Sequence, residues 1–323
     1  MRHQNRSVVR TIRSDVAAAV TAATLRPLTA VIPLNRAGIR LSRWVVASAL
    51  ATFGPPLTGS RIGPAESGPR GEWVRGPGVV RDDVTVFYVH GSGYVLCSAR
   101  THRGLTSRVS AGTGVPVFAC DYRLAPRHRF PSAADDVRAA YDWLVAEVGD
   151  PGRIVLAGDS AGGHLAVDLT LQLLREGRPP PAALALFSPL FDPTFALAAE
   201  RDRLRRDPMI SAARAARLIR LYARDADPHS PRLRLSGDDV TGFPPTLIQA
   251  GGREMLAADA EALARVLRRA GSDCELEIVP GQMHVFQALP RLIPEGRAAL
   301  ERACEFLAAR LPPVAPGPLR EAS

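Results

Sequence analysis

The chain contains no lysine: all 41 of its basic residues are arginine. Asparagine is almost as scarce, confined to Asn5 and Asn35, whereas alanine, glycine and proline abound. This bias reads as the codon choice of a GC-rich genome rather than a surface selected to bind. The formal net charge of +9 is correspondingly uninformative. A nucleic-acid site concentrates its cations on one face, and here the arginines are spread along the chain, with modest clusters at 201–206 and 214–220. Nucleic acid is therefore excluded as an expected partner. Cysteine is also sparse. Cys97, Cys120, Cys274 and Cys304 form no CxxC pair and no zinc-type spacing, so no metal is expected. Three of them lie in or beside apolar runs, as small buried side chains in a reducing compartment do. Long apolar runs are missing too, and nothing approaches the roughly 18 residues that a membrane span requires. The apolar stretch after the basic start is interrupted by Asp15, Arg26 and Pro27, with no small-residue cleavage pattern. A cytoplasmic location is expected, with peripheral membrane contact through the N-terminal helices and homo-oligomerisation left open.

What is present is a chain of 323 residues, 46% hydrophobic, which suffices for one large α/β domain with an appended layer or for two small domains. Val8, Ile12, Val16 and Val20 recur every fourth residue, with Arg6, Arg10 and Arg13 off that stripe, which predicts an amphipathic helix broken by Pro27 and Pro33. A second apolar segment, Leu41 to Phe53, carries Trp44 and stops at Gly54-Pro55-Pro56, and 63–78 reads as loop. From about residue 79 short apolar strands alternate with helices. The strands are expected at 84–89, 115–120, 153–157, 183–188, 246–250 and 274–279. The helices are expected at 98–111, 132–148, 162–175, 257–270 and 295–309. Continuously apolar strands in such alternation predict a mostly parallel sheet with helices on both faces. The stretch 193–240, with a helix at 211–222, interrupts the rhythm. An insertion there lies above the carboxyl ends of the strands, where ligands bind in such sheets.

Gly158-Asp159-Ser160-Ala161-Gly162-Gly163 directly follows one predicted strand and directly precedes a helix. That is the context of a G-x-S-x-G elbow, in which a sharp turn exposes the serine and leaves no room for a Cβ two residues to either side. The helix dipole and the Ala161 N–H then face developing negative charge. Upstream, the first sheet strand ends in His90-Gly91-Ser92-Gly93-Tyr94, small residues whose backbone N–H groups can turn toward a bound carbonyl. Gly91, Ser92, Gly93 and Ala161 are the expected oxyanion donors.

These segments, together with Asp121-Tyr-Arg-Leu-Ala-Pro-Arg-His128, make the chain resemble the hormone-sensitive lipase family of esterases, the bacterial family IV enzymes. The likeness runs from about residue 75 to 310. That family carries His-Gly-Gly-Gly, Asp-Tyr-Arg-Leu-Ala-Pro-Glu-His-Pro and Gly-Asp-Ser-Ala-Gly-Gly. Here Ser92 replaces the middle glycine, and Arg127 and Arg129 replace the Glu and Pro. The resemblance implies an α/β-hydrolase fold with a helical cap. On that basis the chain divides into an N-terminal cap segment and linker (1–75), a first core part (76–192), a cap insertion (193–240), a second core part (241–312) and a flexible tail (313–323).

A serine hydroxyl needs a base, and His284 follows the last predicted strand, in the α/β-hydrolase order of serine, acid, histidine. His3, His102, His128, His164 and His229 lack that placement, and His164, one turn beyond the elbow, is expected to pack on the sheet. The acid comes after the strand at 246–250, where the family has Asp-Pro-Leu or Glu-x-Leu. Glu254-Met-Leu fits the second pattern, and Asp259 is the competitor. The expected activity is hydrolysis of small-molecule carboxylic esters, with short to medium acyl chains, through a covalent acyl-enzyme and without a cofactor. Amidase, acyltransferase and non-catalytic binding readings remain as alternatives at this stage.

Overall fold

The computed structural model describes residues 12–313. Val8 and the arginines beside it, and the tail from residue 314, lie outside them.

Seventeen elements follow in order: α1 (Ile12–Val31), α2 (Arg36–Phe53), β1 (Arg61–Pro64), β2 (Gly71–Arg75), β3 (Thr85–Val89), α3 (Ala99–Thr113), β4 (Val117–Cys120), α4 (Ser132–Val148), β5 (Ile154–Asp159), α5 (Ala161–Arg175), β6 (Leu184–Phe187), α6 (Ala196–Leu204), α7 (Ala212–Ala223), β7 (Thr246–Gly251), α8 (Ala257–Arg269), β8 (Cys274–Val279) and α9 (Pro294–Ala308). They build one eight-stranded sheet of order β1-β2-β4-β3-β5-β6-β7-β8, in which only β2 runs against the others and pairs antiparallel with both its neighbours. The strands from β3 to β7 are buried along their whole length because both faces are covered. Phe87 and Val89 of β3 point into a core shared with α4, α5 and α8. Val86 and Tyr88, one residue out of phase, point into a second core closed by α3 and α9.

Three expectations are corrected. The stretch 63–78, read as loop, holds the end of β1 and all of β2. Their glycines and Pro64 hide the strand signal, but Pro64 sits on the sheet edge, where a missing N–H costs nothing. Trp73 then packs on Phe118 at 5.2 Å and anchors the pair. Second, α1 does not stop at Pro27. Arg26 reaches Asp202 at 3.2 Å and also the Asp207 carbonyl, and the Thr29 hydroxyl donates to the Met209 carbonyl, so tertiary contacts hold the helix together beyond the proline. Third, 193–240 carries two helices, not one. The side chain of Asp192 accepts from the N–H of Thr194 and of Ala196 and so starts α6. All four cysteines are buried thiols.

Candidate active site

β5 ends at Asp159 and α5 begins at Ala161, leaving Ser160 alone on the turn at φ 52° and ψ −121°. A non-glycine residue in that region is strained and persists only where its surroundings over-determine it. The Ser160 N–H donates to the Phe187 carbonyl at 2.9 Å, and its own carbonyl accepts from the Leu190 N–H at 3.0 Å. At Gly162 a Cβ would fall inside the radii of the Val89 and His90 carbonyl oxygens, which is why this position tolerates only glycine.

His284, on the loop between β8 and α9, places Nε2 3.0 Å from the Ser160 Oγ. Its Nδ1 meets Oε2 of Glu254, a side chain with no exposure to solvent. Burial pushes the imidazole pKa down, but the Glu254 carboxylate, with smaller help from Asp207 and Asp159, more than offsets this, and the net shift is upward from 6.5. The other carboxylate oxygen of Glu254 accepts from the Ser188 hydroxyl at 2.7 Å and from the Gly251 N–H at 2.5 Å. Ser188, at the end of β6 with φ 49°, also accepts from the Val285 N–H at 3.0 Å, so one hydroxyl ties the acid to the loop that carries the base. Nothing in the sequence around Ser188 signals this role. Ser188→Ala would leave the Val285 N–H unpaired and remove one donor from Glu254. The expected result is a loss of about 1–3 kcal/mol in stability, read by denaturant titration, with roughly a tenfold fall in kcat.

Asp259, the competing acid, is engaged elsewhere. It is buried at the start of α8, and its Oδ1 accepts from the N–H groups of Phe191 (2.9 Å) and Asp192 (2.8 Å). Burial pushes its carboxyl up to about 7. It pins the segment that leads from β6 into α6 and makes no hydrogen bond to His284.

The loop after β3 approaches Ser160 from the other side. Ser92 and Gly93 take φ of 82° and 64° and, like Ala161, direct no N–H to another group among the described residues. Gly91 differs from expectation: its N–H donates to the Asp159 Oδ1 at 3.1 Å, which removes it from the oxyanion set. A side chain there would collide with Asp159 and with the Cβ of Ser160, so Gly91 serves close approach rather than donation. The same carboxylate oxygen accepts from the Tyr88 hydroxyl (2.8 Å) and faces His102 Nε2 (3.3 Å). Burial lowers the His102 pKa, but Asp159 outweighs it and the net shift is upward. His90 is the opposite case, pushed down to about 3 by burial and so neutral. Its ring stacks on Tyr122, whose hydroxyl donates to the His90 carbonyl at 2.7 Å. Asp159, His102 and Tyr88 form a buried polar group beneath the Ser160 turn that no motif in the sequence marks; the only signal is an acid next to Ser160 with nowhere to go but the interior. Ser92, the departure from glycine, lies 2.8 Å through its Oγ from the Cys97 Sγ. Arg129 pairs with Asp225 of the insertion, and Arg127 is exposed. His164, expected on the sheet, is buried and its Nε2 meets the Leu233 carbonyl at 3.0 Å.

Ser160, His284 and Ser92 open into a cavity of about 750 Å³, walled largely by apolar side chains from α1, α2 and the segment 283–292. Among the described residues no cluster of His, Cys, Asp or Glu could hold a metal ion.

Residues 86–288 match a family described as alpha/beta hydrolase fold. An acetyl-hydrolase of Streptomyces hygroscopicus is 40% identical over 237 residues, 73% of this chain and 78% of that protein. Esterase LipU of Mycobacterium tuberculosis is 36% identical over 243 residues, 72% and 82% of the two chains. Among solved structures, an esterase from the bacterial hormone-sensitive lipase family superposes with a TM-score of 0.83 at 33% identity, over 94% of this chain and 100% of that one. The chain belongs to the α/β-hydrolase fold family, and within it to the esterases related to hormone-sensitive lipase.

Proposed function

We propose that the chain hydrolyses carboxylic esters through a Ser160-His284-Glu254 triad and an acyl-enzyme. Its substrates in this reading are small esters with an apolar acyl chain. The observation that carries this is the unbroken line from buried Glu254 through His284 to Ser160, with unpaired backbone N–H groups on the far side of the serine. Ser160 attacks the carbonyl carbon as His284 Nε2 takes its proton. The N–H groups of Ser92, Gly93 and Ala161 hold the oxyanion that forms, and each such donor is worth about 100- to 1000-fold in rate. His284 then gives its proton to the departing alcohol oxygen. Water repeats the sequence and frees the acid. Glu254 keeps the Nδ1 proton in place and stabilises the imidazolium.

We read α1 and α2, with 193–240, as the cap over this site; β1 and β2, which the expected 1–75 segment also included, belong to the sheet instead. Both supply groups near the triad: α1 and α2 wall the cavity, while Arg201 of α6 donates to the Glu254 carbonyl at 3.0 Å. A cavity of 750 Å³ would leave an acetyl group in mostly empty apolar space. Each acyl methylene that enters it adds about 0.8 kcal/mol of transfer energy, or up to about fourfold in kcat/KM. With p-nitrophenyl esters, kcat/KM is therefore expected to rise from acetate to at least hexanoate. A flat or falling profile would refute the acyl-chain assignment, and no turnover on any ester would refute the esterase reading itself.

A further inference from the structure

Helix α1 is turned the wrong way for a helix that merely packs. A packing helix faces its apolar stripe inward, yet Ile12 is 83% exposed and Val16 and Val20 are each 55% exposed, while the small Ala17 and Ala18 are the buried residues. α2 adds an exposed apolar group of its own, with Trp44 at 67% exposure and Leu41 one turn before it. Of the ten large apolar side chains exposed among the described residues, eight belong to these two helices. A concentration of this kind marks a contact surface rather than scattered surface apolarity.

The charge on the segment indicates what it contacts. Residues 1–60 carry Arg2, Arg6, Arg10, Arg13, Arg26, Arg36, Arg40 and Arg43 against a single carboxylate, Asp15. Asp15 is itself occupied by Arg253 at 2.7 Å. Arg36 and Arg40 are exposed and stand two turns and one turn before Trp44 on α2. Arginine and tryptophan beside aliphatic side chains compose the face of a helix that lies in a membrane interface and prefers anionic lipid. No helix among the described residues is long and apolar enough to cross a membrane, so contact would be along the surface. A second copy is a poorer occupant, because a two-fold contact through this face would bring arginine against arginine. The position relative to the cavity completes the case: Ile12, Val16, Val20 and Phe53 are exposed and at the same time edge the opening that leads to Ser160.

We propose that the outer face of α1 and α2 docks on an anionic lipid surface, with the cavity mouth turned toward it, so that apolar esters reach Ser160 from the lipid phase. The test uses the full chain carrying Ser160→Ala, which makes binding independent of turnover and of the esterase reading. Co-sedimentation is measured with vesicles of phosphatidylglycerol and phosphatidylcholine, and with vesicles of phosphatidylcholine alone. The expected result is several-fold more protein bound to the anionic vesicles. Binding should fall at least fivefold with Leu41→Asp/Trp44→Asp and with Arg36→Glu/Arg40→Glu, and weaken in 0.5 M salt, where the screening length drops to about 4 Å. Neither pair belongs to the cavity wall. In the Ser160 background both variants should hydrolyse a soluble short-chain ester within about twofold of the parent, which shows them folded. No binding to either vesicle type would overturn the proposal, and equal binding to both would overturn its anionic preference. Self-association that Leu41→Asp/Trp44→Asp abolishes, without vesicle binding by the parent, would reassign the face to a second copy.

Discussion

Ser160→Ala is expected to lower kcat on p-nitrophenyl butyrate by about 10⁵- to 10⁶-fold, leaving the turnover that the oxyanion donors and binding alone support. The reason is geometric. The Ser160 Oγ lies 3.0 Å from the base, so it is the group placed to attack. In the proposed mechanism Ser160 and His284 act as one unit, so Ser160→Ala/His284→Ala should be little slower than either single variant, a non-additivity that stopped-time assays at high enzyme concentration can read. The backbone makes a second, opposite forecast. Ser160 is held at φ 52°, a conformation costing on the order of 1–3 kcal/mol for a residue with a Cβ. Ser160→Gly should therefore be as inactive as Ser160→Ala but unfold at a higher temperature. Activity within tenfold of the parent in Ser160→Ala would remove the serine from the mechanism.

Glu254→Gln should cost about 10³- to 10⁴-fold in kcat, because it breaks the tautomer rather than the packing. The Ser188 hydroxyl and Gly251 N–H both donate to one carboxylate oxygen, so a glutamine would keep its carbonyl there and turn its NH₂ toward His284 Nδ1. Two donors cannot face each other. The imidazole then carries its proton on Nε2, where it must instead be free to accept the proton of Ser160. The pH profile separates this from a structural loss. His284 must be neutral to act as a base and its pKa is raised above 6.5 in the folded enzyme, so kcat/KM should fall as pH drops through a limb above that value. In Glu254→Gln the limb should move to lower pH. Asp259→Asn should leave kcat within about threefold, since its carbonyl can still accept from Phe191 and Asp192. Its signature lies in stability. The native carboxyl, raised to about 7 from 3.8, binds more protons than the unfolded one, so stability falls as pH rises from about 4 through 7; Asp259→Asn should flatten that slope. Loss of activity in Asp259→Asn with retention in Glu254→Gln would reverse the assignment of the acid.

The strands from β3 to β7 and most of the helices between them could be read directly because burial on both faces makes each strand continuously apolar, and that signal is local. Ser160 could be read because its elbow constrains five adjacent residues through sterics alone. Gly162 has no alternative while two carbonyl oxygens fill the place a Cβ would take. Where the deciding partner was distant in the chain, the sequence was silent or misleading. β1 and β2 look like loop until Trp73 meets Phe118, and α1 outlasts Pro27 only because Arg26 and Thr29 grip the insertion some 180 residues away. Gly91 looks like a fourth oxyanion donor until Asp159, the residue before Ser160, takes its N–H. Ser188 carries no motif, yet it joins Glu254 to the loop that holds His284. The sequence by itself determined the alternation of strands and helices in the core, the elbow at Ser160 and the family of chemistry, since these follow from short-range sterics and periodicity. Only the tertiary structure decided which backbone donors remain free, which carboxylate faces the imidazole and which apolar side chains stay in water, because each depends on hydrogen bonds and packing between segments that the chain brings together only on folding.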